Sequence, residues 1–423
     1  MLLVSDIQEQ LATFKEGLEK RGFKDLQLLD EILNLDQKRR ETQSKLDGLK
    51  AEMNQISKEI GILFQSGKQD EAQAAKVKTG EIKAEIAKLQ EVFDECENSV
   101  KTLLYQIPNI PHESVPPGKT EDDNEEVYCQ GEAEPNTTGK LPHWDLCKKY
   151  DLIDFELGVK ITGAGFPVYK GKGAKLQRAL IRYFLDKADQ GGYTEYIPPL
   201  MVNEASGYGT GQLPDKEGQM YHATADDLYL IPTAEVPLTN IYRDSIVKED
   251  ELPIKMTGYT PCFRREAGSY GKDVRGLNRL HQFDKVEIVQ VVAQEKSYRA
   301  LDEMVQHVQG LLVDLELPFR ILRLCAGDLG FTSKLTFDFE IYSSAQEKWL
   351  EVSSVSNFET FQTNRLKLRY KTAEGKNKLA HTLNGSALAL PRIVAGFLEN
   401  HQTEKGIRIP KALVPYTGFE WIS

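Results

Sequence analysis

The feature that most restricts how this chain can fold is a seam of residues advancing by alternating steps of four and three. It runs through Leu28, Ile32, Leu35, Arg39, Thr42, Leu46, Leu49, Met53, Ile56, Ile60 and Leu63, the heptad spacing of a coiled coil. The rhythm stops at Gln65-Ser66-Gly67-Lys68 and resumes through Ala72, Ala75, Thr79, Ile82, Ile86, Leu89, Phe93, Cys96, Val100 and Leu103. Two amphipathic helices of matching length around a short glycine-containing turn predict an antiparallel hairpin over residues 28–103, each seam covering the other. At a rise of about 1.5 Å per residue each arm reaches roughly 55 Å, too slender to enclose a pocket. Such a hairpin serves either as a dimerisation coiled coil or as a probe that touches something large and distant. The basic run Lys38-Arg39-Arg40 does not choose between these. Asp36, Glu41, Asp47, Glu52 and Glu59 alternate through the same helix, the usual pattern of a solvated surface.

After the hairpin comes PNIPHESVPPGKTEDDNEEV, rich in proline and ending in an acidic run, which reads as a linker. The expected organisation is an N-terminal arm over 1–110, a linker over 111–125 and a second domain over 126–423. In that domain short β-branched runs alternate with helical segments such as Lys175 to Asp189 and Glu295 to Leu315. Hairpin-like connections without a βαβ rhythm predict an α+β fold with an antiparallel sheet. The acidic excess, 64 carboxylates against 53 Lys plus Arg for a formal charge of −11, means that a nucleic-acid partner must be met by local basic patches.

Five cysteines without a C-x-x-C pair point to reduced thiols, so neither a disulfide framework nor a zinc knuckle is expected. The start, MLLVSDIQEQ, lacks the basic region of a targeting segment, and no apolar run is long enough to span a bilayer. A cytoplasmic protein without a membrane partner is the expectation.

The chemistry concentrates in FRREAGSYGKDVRGLNRLHQFDKVE, residues 263–287. Read as two strands around a glycine-rich loop, alternation puts Arg264 and Glu266 on one face, joined on the return strand by Arg279, His281, Phe283, Lys285 and Glu287. Leu280, Val286 and Ile288 suit the packed side. Gly268, Gly271 and Gly276 bound a loop carrying Lys272, Asp273 and Arg275. Arginines, an aromatic and a carboxylate on one pleated surface are the groups that grip a triphosphate and stack its base. The alternative is a wetted face of an antiparallel sheet.

A second cluster, His381 to Gln402, reads as a turn at Asn384-Gly385-Ser386 feeding a helix whose buried side is Leu388, Ile393, Phe397 and Leu398. Arg392 falls in this apolar segment, where a ligand phosphate or a structural carboxylate must answer it. Asp338 and Glu340 share a face as a weaker carboxylate pair. The chain has no G-x-x-x-x-G-K-[ST], no G-x-G-x-x-G opening a helix and no H-E-x-x-H, so a bound nucleotide must be held by arginines and a metal.

Phe263 to Glu266 with Arg279 to Glu287, and Asn384-Gly385-Ser386 to Arg392, resemble motifs two and three of class II aminoacyl-tRNA synthetases, and within that class the match is to the seryl-tRNA synthetases. The resemblance spans essentially the whole chain: the helical arm, Gly192-Tyr193 to Pro198-Pro199 like motif one, the Thr233-Ala234-Glu235 loop and Glu351-Val352-Ser353-Ser354. It departs from the family at Arg265, where serine is commoner, at Val355 and Phe358 in place of cysteines, and at Ile341-Tyr342 in place of a tryptophan-containing stretch.

The resemblance implies a class II catalytic domain of antiparallel-sheet type with a coiled-coil arm. It implies a ligase that activates L-serine with ATP and charges tRNA(Ser), with tRNA(Sec) as an alternative acceptor. Arg264, Glu351 and Arg392 are then catalytic. ATP is held by these with Arg265, Glu266, Arg279, Phe283, Val352, Ser353 and Ser354. Serine is held by Thr233, Ala234, Glu235, Glu287, Asn384 and Ser386, and magnesium by Glu351 and Ser354, with no zinc. The family also implies a homodimer built through motif one, and an arm that binds the long variable arm of the tRNA. The loop between Gly268 and Gly276 would receive the acceptor end. A ligase that loads a carrier protein would share the active site but lack the hairpin.

Overall fold

A computed structural model describes residues 1–133, 136, 139–215, 218–266 and 275–423. The chain divides into two compact units, Met1–Glu19 with Phe23–Pro108 and Lys20–Gly22 with Asn109–Ser423. The loop positions Gly268, Gly271, Lys272 and Asp273 lie outside the described residues.

In the first unit the heptad seam is the dry side of a helical hairpin. Helix α1 (Gln27–Gln65) and helix α2 (Gln69–Leu104) run 39 and 36 residues. Between them Ile32, Thr42, Leu46 and Ile56 meet Ala72, Ile82, Cys96 and Val100, all buried, while at the start of the seam the buried residue is Leu29 and not Leu28. Arg39 sits in this seam because it can snorkel. Its guanidinium lies 5.9 Å from the Phe93 ring centroid and pairs at 2.7 Å with Asp36, itself buried. The turn falls where the seam breaks. Gly67 takes φ +75°, the left-handed conformation that glycine supplies after a helix end.

In the second unit an eight-stranded sheet forms the platform. Its strands are β1 (Glu125–Gln130), β2 (Thr194–Glu195), β3 (Ile254–Phe263), β4 (Gln282–Val292), β5 (Phe319–Arg323), β6 (Leu335–Ser343), β7 (Lys348–Glu359) and β8 (His381–Ala389), in the order β1-β5-β6-β7-β8-β4-β3-β2. Every pairing is antiparallel except that of β2 with β3. Helices α3 (Gly171–Gln190), α4 (Ser297–Asp314) and α5 (Leu390–Asn400) cover one face. Leu180, Phe184, Met304, Val308, Ile393 and Phe397 from these helices pack with Val286, Ile288, Phe339, Ile341, Val355 and Leu383 from the strands. Burying those alternate strand positions leaves Phe283, Lys285 and Glu287 on the opposite face.

Three expectations need correction. Asn384-Gly385-Ser386 is not a turn but the middle of β8, where Gly385 lies opposite Ile288 on one neighbour and Val355 on the other. A Cβ on Gly385 would come 3.0 Å from Val355 Cγ2, so tight packing between two strands overrides the turn propensity of the triplet. The strands around the motif-two loop are also shorter than alternation suggests. Arg264 and Glu266 follow the end of β3, and Arg279 and His281 precede β4, with the chain turning at Glu266, φ +49°.

The third concerns the proline-rich segment, which is hydrogen-bonded into the second unit. The Asn109 N–H donates to the Phe331 carbonyl and its side-chain amide to Thr332 and Phe358 carbonyls, His112 N–H donates to Lys334, and Val115 is buried. The acidic run continues into edge strand β1, where Glu125 pairs with Arg323 and Glu126 with Arg320.

Candidate functional site

The uncovered face of the sheet carries a cavity of about 430 Å³ whose walls come from β4, β6, β7, β8, the start of α5 and the segments that flank β3 and β4. Arg264, Glu266, Arg279, Phe283, Glu287, Glu351, Val352, Ser353, Ser354, Asn384, Ser386, Arg392, Thr233 and Glu235 all line it. Alternation on β4 and the register of β4 with β8, which sets Glu287 against Ser386, bring Phe283, Glu287, Asn384 and Ser386 together. Strand β7 supplies Glu351 to Ser354, and Thr233, Glu235, Arg264, Glu266, Arg279 and Arg392 come from segments outside the strands.

The deep end is polar and buried. Lys285 Nζ lies 2.5 Å from Glu287 Oε2, and the Thr233 hydroxyl donates to the same oxygen at 3.2 Å. Beside them Glu235 accepts from Gln362 Nε2 at 2.6 Å, and Gln362 in turn accepts from the Thr382 hydroxyl at 2.7 Å. Burial, and then the neighbouring Glu287 charge, push the Glu235 carboxyl up to about 7 against the stabilising bond from Gln362. Two carboxylates and one ammonium leave this end one cation short. A small ammonium group would satisfy it, and the walls offer hydroxyls and amides for further polar contacts.

The open end is rich in arginine. The Arg264 guanidinium carbon lies 5.2 Å from the Phe283 ring centroid, and its Nε reaches the Pro232 carbonyl at only 3.4 Å. Arg279 stands 3.4 Å from Glu266. Arg392 is the cation that the apolar helix had to answer. Its Nε donates to the Asn278 carbonyl at 3.0 Å and a terminal nitrogen to the Glu351 carbonyl at 2.8 Å, with the Glu351 carboxylate 3.7 Å away. Three guanidinium groups around one opening, one of them flanking an aromatic face, form a receptor for a polyanion bearing a flat ring.

Beside Arg392 an all-oxygen donor set suits a hard divalent cation. Glu351 and Ser354 line the cavity. Opposite Ser354 on β6 is Asp338, whose Oδ1 is buried without a hydrogen-bond partner and whose carboxyl is pushed well up by burial and by the Glu351 charge. An orphaned buried carboxylate oxygen beside Glu351 fits magnesium, which takes one or two protein oxygens and keeps much of its water. Among the described residues no group of three His, Cys, Asp or Glu side chains is placed to hold a metal, and no helix is long and apolar enough to cross a membrane.

Two expected site residues are not at the cavity. Ala234 is wholly buried behind it. Arg265 is absent from its walls, and its backbone N–H donates to the Gln219 carbonyl. His281, read as part of the charged face, instead stacks on Phe166 with ring centroids 5.5 Å apart and hydrogen-bonds the Tyr221 hydroxyl at 2.9 Å. Asp338 and Glu340 do not act as a pair, because Glu340 is taken by Arg320 at 2.6 Å. Gln212 and Gln362, the partners of Glu235, carry no signal in the sequence, because neither lies near a recognisable motif.

Comparison with known proteins agrees with this geometry. The seryl-tRNA synthetase N-terminal domain model matches residues 1–111, and the class II core domain model for the synthetases of G, H, P, S and T matches residues 220–401. The serine--tRNA ligase of Salinibacter ruber is 50% identical over 421 residues, 99% of this chain and 98% of its own. That of Methylacidiphilum infernorum is 46% identical over the full length of both. Among solved structures, the Pyrococcus horikoshii seryl-tRNA synthetase complexed with ATP superposes with a TM-score of 0.91 at 35% identity, covering 99% of each chain. The cytoplasmic serine-tRNA ligase of Naegleria fowleri in complex with AMP gives 0.87 at 28%, covering 100% of this chain and 99% of its own. These relatives lend no support to the carrier-protein ligase reading. Likeness that runs end to end, through arm and sheet alike, places the chain in the seryl-tRNA synthetase family of class II.

Proposed function

We propose that the cavity joins the carboxylate of L-serine to the α-phosphate of ATP, expelling pyrophosphate, and then passes the seryl group to the terminal ribose of tRNA(Ser), with tRNA(Sec) as a second acceptor. The observation that carries this reading is the juxtaposition on one sheet face of a cation-seeking deep end and an arginine-lined mouth. Serine's ammonium answers Glu235, and its hydroxyl meets Glu287, with Thr233, Asn384 and Ser386 alongside. Arg264 meets the α-phosphate, Phe283 carries the adenine, Glu266 faces its amino group, and Arg279 and Arg392 take the outer phosphates. Two anions must be brought together, so the work is charge neutralisation and in-line positioning. Glu351 and Ser354, with Asp338 beside them, would hold magnesium, which when bound neutralises phosphate charge.

The partners follow the same reading. The hairpin of the first unit reaches the variable arm of the tRNA. A homodimer forms through the segment from Gly192-Tyr193 to Pro198-Pro199 at the β2 edge, where Ile197 is 91% exposed and Leu200 and Met201 are each 38% exposed. The working compartment is the cytoplasm.

Two measurements test the deep end. Glu287→Ala should lower serine-dependent pyrophosphate exchange and weaken the preference for serine together. The protein should also melt earlier, because Lys285 is left as a buried charge without its partner, a loss of about 3 to 5 kcal/mol. Unchanged selectivity would remove Glu287 from serine recognition. For Glu235 the sign of the pH effect is fixed by its folded value of about 7 against an ordinary 4.5. The free protein holds this proton until pH passes 7, so its contribution to stability is present below 4.5 and is lost as pH rises through 7. An incoming ammonium must expel the proton, so the KM for serine should rise up to about tenfold per unit as pH falls below 7. Glu235→Gln should bind serine less well and flatten that dependence. A wild-type profile already flat between pH 5.5 and 7.5 would contradict the assignment.

A further inference from the structure

His143 and Glu399 form a hydrogen-bonded pair buried completely outside the cavity walls, and nothing in the roles above uses them. Glu399 lies on α5 two turns after Arg392, on the same side of that helix. His143 opens the short helix His143–Lys149. Glu399 Oε1 accepts from the His143 backbone N–H at 2.9 Å, from ring Nδ1 at 2.8 Å and from Gln346 Nε2 at 3.0 Å, and Oε2 accepts from the Ser343 hydroxyl. Burial opposes the ionised carboxyl, but the bonds from His143 and Ser343 together outweigh it and hold Glu399 below the usual carboxylate range.

The far nitrogen of the ring leads back to the site. His143 Nε2 lies 2.9 Å from the backbone nitrogen of Leu277. An amide N–H can only donate, so Nε2 is the bare nitrogen and the ring proton resides on Nδ1, facing Glu399. The ring is thus fixed from both sides. The neighbouring backbone comes so close that a Cβ on Gly276, φ +66°, would sit 2.2 Å from His143 Nε2. Next to His143, Trp144 carries the Arg275 guanidinium 4.5 Å from its ring centroid. On the other side of Leu277, the Asn278 amide donates to Gln346 Oε1 at 2.9 Å, and the Asn278 carbonyl accepts from Arg392 Nε. Arg279 follows directly.

We propose that His143 and Trp144, braced by Glu399 and Gln346, are positioning residues that clamp the backbone of residues 275–279 and thereby hold Arg279 and Arg392 at the ATP phosphates. The inference rests on the assignment of those two arginines to the phosphates. The bond from Leu277 N–H to the ring ties the buried pair to the backbone directly before Asn278 and Arg279, both of which line the cavity.

The test is pyrophosphate exchange by the full chain, with ATP and serine varied separately. His143→Ala should cut kcat/KM for ATP about a hundredfold, the scale of a misplaced catalytic group, while the KM for serine stays within about twofold. Glu399→Gln, which keeps an acceptor for the ring proton, should retain most of the activity. Gly276→Ala disturbs the same contact from the backbone side, driving a Cβ against His143 Nε2 while both buried side chains stay in place. It should reproduce the ATP-specific loss even if His143→Ala fails to fold. The clamp is refuted if Gly276→Ala leaves the ATP constants unchanged, or if a folded His143→Ala raises the serine KM as much as that for ATP. Arg392→Ala measured alongside separates the two levels. Unchanged ATP constants in Arg392→Ala overturn the phosphate assignment itself, whereas their loss beside a normal Gly276→Ala overturns the clamp alone.

Discussion

Arg264→Ala is expected to abolish serine-dependent exchange of pyrophosphate into ATP while leaving the fold intact. The side chain is anchored lightly, with one long bond to the Pro232 carbonyl and the face of Phe283. Removing it therefore breaks no buried pair, and the melting temperature should move little. Its placement suggests that its charge is held for something absent from the protein. If that something is the α-phosphate, the guanidinium meets negative charge that builds as the serine carboxylate attacks. Losing one preorganised donor at such a position costs about 10²- to 10³-fold in rate, and more when the donor is a full charge facing two anions. Arg264→Lys should recover only part of this, because a point charge replaces a planar fork. Normal exchange in Arg264→Ala, with normal KM for ATP, would mean that the mouth of the cavity holds something other than a nucleotide.

What could be seen in the linear chain and what could not divide along a physical line. The arm was legible because a period of 3.5 residues is a one-dimensional signal, and even its odd member, Arg39, is explained by a neighbour three positions away, Asp36. Phe283, Lys285 and Glu287 were legible because a strand with one packed face alternates. Asn384-Gly385-Ser386 misled because its local chemistry is that of a turn, while its conformation is dictated by two flanking strands. The pairing of Asp338 with Glu340 misled in the same manner. Sharing a face says nothing about which cation across the sheet, here Arg320, will claim one of them. Gln362 supports Glu235 from 127 positions away. No spacing rule reaches that far, and only the folded sheet reveals that a carboxylate lifted to about 7 has an amide holding it in place.

Removing residues 30–98 and closing the gap with a short turn should separate the two half-reactions. The deletion takes both halves of the seam together. Ile32, Leu46 and Ile56 go with Ala72, Ile82 and Cys96, so no buried surface of one helix is left facing water in place of the other. The cavity draws none of its walls from this segment. Serine activation, read as pyrophosphate exchange, should therefore continue within about twofold of the full chain, since no group that touches ATP or serine is altered. Transfer to tRNA should fall by about a hundredfold or more, equivalent to roughly 3 kcal/mol of lost binding. A slender hairpin of this length has no pocket and no catalytic group, so contact with a large partner is the contribution left to it. Charging that survives the deletion would show that the second unit recognises its tRNA unaided. The helical seam would then have to be explained as an association surface between chains, which the sedimentation of the full and shortened proteins would reveal.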